Sequence, residues 1–286
     1  MISDPLSFLL AAQAPQGGWG YGPVQTPGVE PTCAVLIAAR ERSQDPAFRK
    51  AAAWLCGIQH ADGGWGLNEK DPDSCWLTAW AVWALSIIGG FQVEIQRGAK
   101  WLLSEEVLQI SEMDDLQAGQ LIAKIDFSLR GWPWLPGEAS WVEPTALALL
   151  ALSSSAILDS IRISEAMQYL HNRRCPSGGW NVGNPVMFQS ALPARAHPTA
   201  WSMMSLAKVA PHLVLSQDVS ALQAEMRSDG GITALAWGIL ALRPFTSQSF
   251  KAEQEQLTSA QAANGGWEEN PYPTAIAWMA LQTGLP

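Results

Sequence analysis

Charge is scarce in this chain, and long apolar runs are absent. Only 15% of the 286 residues are Asp, Glu, Lys or Arg, and no stretch approaches the roughly 18 consecutive apolar residues of a membrane-spanning helix. Basic residues are in deficit, 17 Lys and Arg against 26 Asp and Glu for a formal charge of −9, and they form nothing larger than pairs such as Arg173-Arg174. That balance opposes phosphate backbones and anionic lipid, so nucleic acid is not an expected partner. Four cysteines, Cys33, Cys56, Cys75 and Cys175, lie far apart without a Cys-x-x-Cys pair, which implies free thiols in a reducing compartment. Met1 to Ala12 has no basic segment ahead of its short Phe8-Leu9-Leu10 patch, so a cytoplasmic chain without signal peptide or transmembrane segment is expected. There is no Gly-x-Gly-x-x-Gly, no Walker loop and no Gly-x-Ser-x-Gly, which removes support for nucleotide-binding and serine-hydrolase readings.

What the chain does have is repetition. A Thr-Ala or Thr-Cys pair opens an apolar run at Thr32, Thr78, Thr145, Thr199, Thr233 and Thr274, usually just after a Gly-Gly-Trp or Gly-Trp. The tryptophans of these turns are Trp19, Trp65, Trp132, Trp180 and Trp267, with Gly230-Gly231-Ile232 in the remaining place. Repeats on this scale are stacked supersecondary units. Even spacing from end to end, without a linker, predicts a single domain over residues 1–286.

Pro31, Pro144, Pro198 and Pro273 each precede the Thr, where a fixed φ starts a helix and the missing N–H costs nothing. The runs that follow, such as Thr145 to Leu152 and Thr274 to Leu281, are apolar all round and require burial on every side. Between them, Phe48, Ala52 and Leu55, or Ile163, Met167 and Leu170, recur at helical spacing among polar residues, as outer helices do. The pattern predicts an all-α fold, a single α/α toroid of about six inner and six outer helices. Residues 104–130 are the least regular, with either an extra helix around Asp114 to Lys124 or a long crossing loop. The acidic run Glu112-Met113-Asp114-Asp115 within them reads as a solvated helix start.

Three turns carry Gln, Gly-Gly and Trp in register: Gln13 to Trp19, Gln59 to Trp65 and Gln261 to Trp267. This resembles the Gln-Trp repeat of squalene-hopene cyclases and the related protein prenyltransferase β subunits, a superfamily of α/α toroids. The likeness runs over nearly the whole chain, although Arg174 and Met226 replace the Gln in two units and the Trp132 unit lacks it. Glycines permit the tight turn, and Gln and Trp are expected to tie outer helices together as exterior staples. Trp19, Trp65, Trp180 and Trp267 are therefore kept out of the site.

If the inner helices run the same way, the residue two before each Thr lies at a common mouth: Glu30, Trp76, Glu143, His197, Gly231 and Tyr272. The scaffold repeats but this position varies, which is where a repeat protein differentiates function. Trp141 to Ala146 lies over the Asp-x-Asp-Asp-Thr-Ala acid motif of class II terpene cyclases, with Glu143 at the proton-donating Asp, while Trp141 and Pro144 depart from it. The resemblance thus implies an enzyme that holds an isoprenoid or similar apolar substrate and cyclises or isomerises it through a carbocation. Glu143, Glu30 and His197 are the catalytic candidates. Trp76, Trp132, Trp134, Trp141, Trp201 and Tyr272 are the substrate-binding ones, because indole and phenol faces stabilise cations. No cofactor is needed for that reading. An alternative is zinc-dependent prenyl transfer, since Asp73-Ser74-Cys75 looks like the Asp-x-Cys ligands of prenyltransferases and His197 could supply a third. A third reading is a non-catalytic toroid that binds carbohydrate or peptide. A homodimer or a partner subunit is the expected assembly.

Overall fold

In the computed structural model the described residues are 4–22, 26–108, 113–157 and 160–282. They form thirteen α-helices: α1 (Pro5–Ala11), α2 (Val29–Ala38), α3 (Pro46–Gly57), α4 (Leu77–Ile88), α5 (Gln92–Ser104), α6 (Met113–Ile122), α7 (Val142–Ser154), α8 (Ser160–Asn172), α9 (Ala196–Val209), α10 (Ser216–Asp229), α11 (Ile232–Leu242), α12 (Lys251–Ser259) and α13 (Pro271–Leu281). The only sheet among them is a hairpin pairing Val186–Met187 with Ser190–Ala191. The all-α class expected from the repeat is what forms. The irregular stretch holds the extra helix, α6, and the part of the acidic run at Glu112 lies outside the described residues. No described helix is long and apolar enough to cross a membrane.

The chain divides into two compact units, residues 1–102 with 247–286, and residues 103–246. In the first, α2 packs between α4 and α13, with α3 against α2 and α1 against α13. In the second, α9 packs between α7 and α11, with α8 against α7 and α10 against α9 and α11. Each unit is thus an arc of three apolar helices backed by amphipathic ones. From Val142 to Leu152 only Glu143 keeps appreciable exposure, so α7 is held by tertiary packing rather than by an exposed polar face.

One set of bonds builds every tryptophan turn. The backbone N–H of Trp19, Trp65, Trp132, Trp180 and Trp267 donates to the Thr32, Thr78, Thr145, Thr199 and Thr274 hydroxyl respectively, at 2.8 to 2.9 Å. These threonines are fully buried. Four of the indoles also donate backward, to the carbonyls of Leu9, Leu55, Leu170 and Leu257 at 2.6 to 2.8 Å. Each of those leucines sits near the C-terminus of an outer helix, where carbonyls have no intrahelical partner. A single Trp therefore ties the outer helix behind it to the apolar helix ahead. The indoles, expected at the exterior, are instead 0% exposed at Trp19, Trp65, Trp180 and Trp267, because one N–H bond suffices to satisfy the ring and burial of the rest is favourable.

The two glycines have separate reasons. Gly63 has a φ of 100° and a Cβ there would stand 2.7 Å from the Arg97 carbonyl oxygen, while one on Gly64 would stand 2.5 Å from Ser74 and 3.0 Å from the Thr78 hydroxyl. The first Gly admits the backbone of the next outer helix and the second admits the threonine. Gln59 Nε2 then donates to the Gly63 carbonyl at 2.8 Å and to the Glu94 carbonyl at 3.0 Å, and Gln13 does the same with Gly17 and Ala47. Where Arg174 replaces Gln, it donates to the Leu213 carbonyl at 2.6 Å and pairs at 3.1 Å with Asp218. Asp218, wholly buried, in turn accepts from the Gly179 and Leu215 backbone.

Thr78→Val keeps the shape but leaves the buried Trp65 N–H without an acceptor, which should cost about 1–3 kcal/mol of unfolding free energy. Thr233→Val, at the unit that lacks a Trp and where the threonine is half-buried, should cost much less. Urea unfolding of the two variants measures the difference, and equal losses would refute the role given to the hydroxyl.

Candidate functional site

In the first unit the start of α2 is fixed by two strand-like bonds, Gly28 N–H to the Trp19 carbonyl at 2.9 Å and Val29 N–H to the Leu67 carbonyl at 3.0 Å. Glu30 follows in the first helical turn. Tyr21, in the loop after Trp19, donates its hydroxyl proton to Glu30 Oε2. The Tyr21 ring lies 6.2 Å from that of Tyr272, which is 6.3 Å and nearly edge-on from Trp80, which is 5.3 Å from Trp83. Tyr272 is held at the start of α13 by the Asn270 side chain, which accepts its N–H at 2.9 Å. Three packed helices thus present one carboxyl at the head of a run of four aromatic rings.

Burial raises the pKa of Glu30 above the ordinary glutamate value, against the lowering effect of the Tyr21 bond. The helix N-terminus also favours the carboxylate, by roughly 0.3–1 kcal/mol in general, so desolvation is the dominant effect here. The Tyr21 pKa is raised, first by desolvation and then by the Glu30 carboxylate, although 47% of the residue stays exposed. Cys33, one turn further along, is fully buried and its pKa is raised mainly by that burial. It is a thiol rather than a nucleophilic thiolate.

In the second unit Glu143 occupies the first turn of α7 and is half-buried. Trp141 stands at its N-cap and pairs with Trp132, to whose carbonyl its N–H donates at 2.9 Å. His197 begins α9 and stacks on Trp201 with centroids 6.4 Å apart, and Trp201 meets Trp237 edge-on at 5.9 Å. Burial lowers the His197 pKa and Asp229 opposes that, while Nε2 is buried without a hydrogen-bond partner. Desolvation thus favours the neutral form of an imidazole set among aromatic rings.

Of the residues singled out from sequence, Glu30 and Tyr272 belong to one aromatic cluster and His197 and Trp201 to another. Trp76 is the half-buried N-cap of α4, and Trp134 is half-buried in the turn before α7. Trp132, expected to line the substrate site, is 1% exposed and lies under the Arg162 guanidinium, 3.9 Å from its ring centre. Among the described residues no three His, Cys, Asp or Glu side chains gather as metal ligands. Asp73 is exposed while Cys75 is buried, its N–H bonded to the Trp65 carbonyl at 2.9 Å, so the two side chains of the Asp-x-Cys motif do not share one environment.

Two residues were missed in the sequence. Tyr21 is one of only three tyrosines, and its place two residues after a staple Trp was the available signal. Glu105, just beyond α5, is 5% exposed with neither carboxylate oxygen hydrogen-bonded, and burial pushes its pKa up to about 8 against the pull of Arg162. Nothing in its sequence context marks it.

Residues 1–111 match the family described as the squalene-hopene cyclase C-terminal domain. The chain is 34% identical over 120 residues to the squalene–hopene cyclase of Bradyrhizobium diazoefficiens, an alignment covering 37% of this chain and 18% of that protein. It is also 34% identical over 108 residues to the (+)-kolavenyl diphosphate synthase of Herpetosiphon aurantiacus, covering 35% and 20%. The chain thus spans a fifth or less of the length of these curated relatives. Among solved structures, the type II terpene cyclase MstE from Scytonema, in complex with geranylgeranyl dihydroxybenzoate, superposes with a TM-score of 0.67 at 16% identity over 97% of this chain and 94% of that one. An α-amylase from Clostridium perfringens superposes with a TM-score of 0.63 at 10% identity over 97% and 96%. At such identities the likeness is one of fold, and the fold hosts more than one chemistry. In sequence through residue 111 and in fold over nearly its whole length, the chain is similar to the squalene-hopene cyclase and prenyltransferase superfamily of α/α toroids.

Proposed function

We propose that the chain is a terpene-cyclase-like enzyme in which Glu30 protonates an isoprenoid double bond and the rings of Tyr272, Trp80 and Trp83 stabilise the resulting cation. The observation that carries this is a half-buried carboxyl, its pKa raised by desolvation, at the head of that aromatic run. Glu30, Trp80 and Trp83 also fall within the 111 residues that resemble the cyclase domain.

The chemistry asks for two opposing properties. The acid must hold its proton until an alkene is present, which desolvation supplies. The carboxylate left after transfer must be stabilised, which the Tyr21 hydroxyl does by donating to Oε2 and leaving Oε1 to carry the proton. Transfer adds H⁺ to one alkene carbon and leaves the other cationic. The π electrons of a neighbouring double bond then form a C–C bond, and the final cation loses a proton or captures water. The negative faces of indole and phenol contribute roughly 0.5–2 kcal/mol each to a cation placed over them. Glu143 is not assigned the acid role, because the cyclase-like sequence does not reach it.

Incubation with farnesol, geranylgeraniol and squalene in D₂O should convert one of them to a cyclised product carrying a solvent deuteron. Glu30→Gln should lower that turnover by about 10²-fold or more, as loss of a general acid does, with unchanged thermal unfolding, while Glu143→Gln should retain it. Full activity in Glu30→Gln would refute the assignment. Since the acid acts protonated and its pKa is raised, kcat should be flat at low pH and fall as pH rises through a pKa above the ordinary glutamate value. Tyr21→Phe, which removes the bond that lowers that pKa, should shift the fall to still higher pH. A profile that rises with pH would be incompatible with proton donation by Glu30.

A further inference from the structure

The second unit contains a cavity of about 180 Å³ between the turn that enters α7 and the C-terminal end of α8. Leu108, Ile125, Phe127, Leu129 and Trp141 supply its apolar walls, and Tyr169 and Arg173 its polar end. Among the described residues no Asp or Glu lines it. It is separate from the Glu30 cluster and does not depend on the reading given to that cluster.

Arg173 is the unusual member. It is 4% exposed, and a guanidinium remains charged under all ordinary conditions. Its donors go to neutral oxygens, the Asp126 backbone carbonyl at 3.2 Å from both terminal nitrogens and the Asn172 side-chain oxygen, and its Cζ lies 4.5 Å from the centre of the Tyr169 ring. Among the described residues no carboxylate oxygen comes within 4.0 Å of it. The Asp126 carboxylate favours its charge from farther away but directs Oδ1 to the Ser128 N–H and hydroxyl, at 2.9 and 2.6 Å. The other two deeply placed arginines of this unit are neutralised directly, Arg162 by Glu165 at 2.6 Å and Arg174 by Asp218 at 3.1 Å. A buried cation without a counter-ion costs several kcal/mol in general, and here it borders an empty space.

We infer that this cavity is a binding site for a small aromatic carboxylate whose charge Arg173 neutralises. Because the Asp126 carbonyl already spans both terminal nitrogens, Arg173 offers a carboxylate its positive charge rather than its paired fork, and the flat faces of Trp141, Phe127 and Tyr169 suit a planar ring. The volume lies below the roughly 300–1,000 Å³ of sites that hold drug-sized molecules, so the ligand is about one ring in size. Tyr169 is already fixed, its hydroxyl donating to the Ser140 carbonyl at 2.6 Å, so the polar end is pre-organised.

The test is calorimetric titration of the full chain with benzoate, benzamide and inorganic phosphate. Benzoate should bind with a Kd on the order of 1 mM or tighter and raise the unfolding temperature with concentration. Benzamide, the same shape without charge, and phosphate, a charge without the ring, should each bind at least about tenfold more weakly, a difference of roughly 1.4 kcal/mol. Arg173→Met should lose benzoate binding. Because that change alters a buried residue, Ala139→Leu serves as the independent variant: Ala139 lines the cavity but is exposed, so a larger side chain should occlude the space and weaken benzoate binding without changing the unfolding temperature of the free protein. Benzamide or phosphate binding as tightly as benzoate, no benzoate binding at about 10 mM, or undiminished binding in Ala139→Leu would each overturn the inference.

Discussion

Everything else in the structure depends on a buried threonine hydroxyl that accepts the N–H of a tryptophan arriving from a tight turn. The bond recurs in five units at nearly one length. Its constancy explains the residue types around it. In four of the five the glycine before the Trp is needed because a Cβ would meet that hydroxyl, at 2.2 Å for Gly131 and Thr145. The Trp follows because its N–H can reach back to an outer-helix carbonyl while its ring fills the space between layers. Because a buried amide left without an acceptor costs its full desolvation, the turn, the outer helix and the apolar helix are not separately adjustable.

This is also why the fold was legible in the sequence. Gln13, Gln59 and Gln261 stand six residues before their Trp, and the Thr-Ala pairs stand at the head of apolar runs, because each repeat must satisfy the same geometry. Less was legible where a unit solves the same problem with other residues. Arg174 replaces an amide by a buried ion pair with Asp218, a partner on a helix that no local pattern connects to it. The tryptophans were legible as staples but not as buried, since periodicity identifies which residues correspond and says nothing about how far the next layer covers them.

The candidate site was legible in part, and for a physical reason. Glu30 and Tyr272 could be found because both occupy the variable position at the head of an apolar helix. Tyr21 could not, because it lies in a connection whose path is set by the Trp19 and Gly28 pairing. Its hydroxyl is nevertheless the donor to the Glu30 carboxylate. Both carboxyls begin an α-helix as Glu-Pro-Thr, so helix dipole and local sequence treat them alike. What surrounds each of them is drawn from other parts of the chain, as the Tyr21 hydroxyl at Glu30 is.

A scaffold constrained in this way leaves function to few positions. The same fold carries a terpene cyclase and an α-amylase, and both need acids, so neither the helices nor the presence of a carboxylate distinguishes them. What does is the material around the acid. Sugar chemistry needs polar partners for many hydroxyls, whereas a carbocation needs the opposite, π faces and few groups able to trap it prematurely. In the reading proposed, the rings of Tyr272, Trp80 and Trp83, which lead away from the Tyr21 that bonds Glu30, supply the second requirement. Arg173 follows the same logic with the charge reversed. The threonine-bonded frame fixes the walls, and an uncompensated charge on one wall selects what can enter.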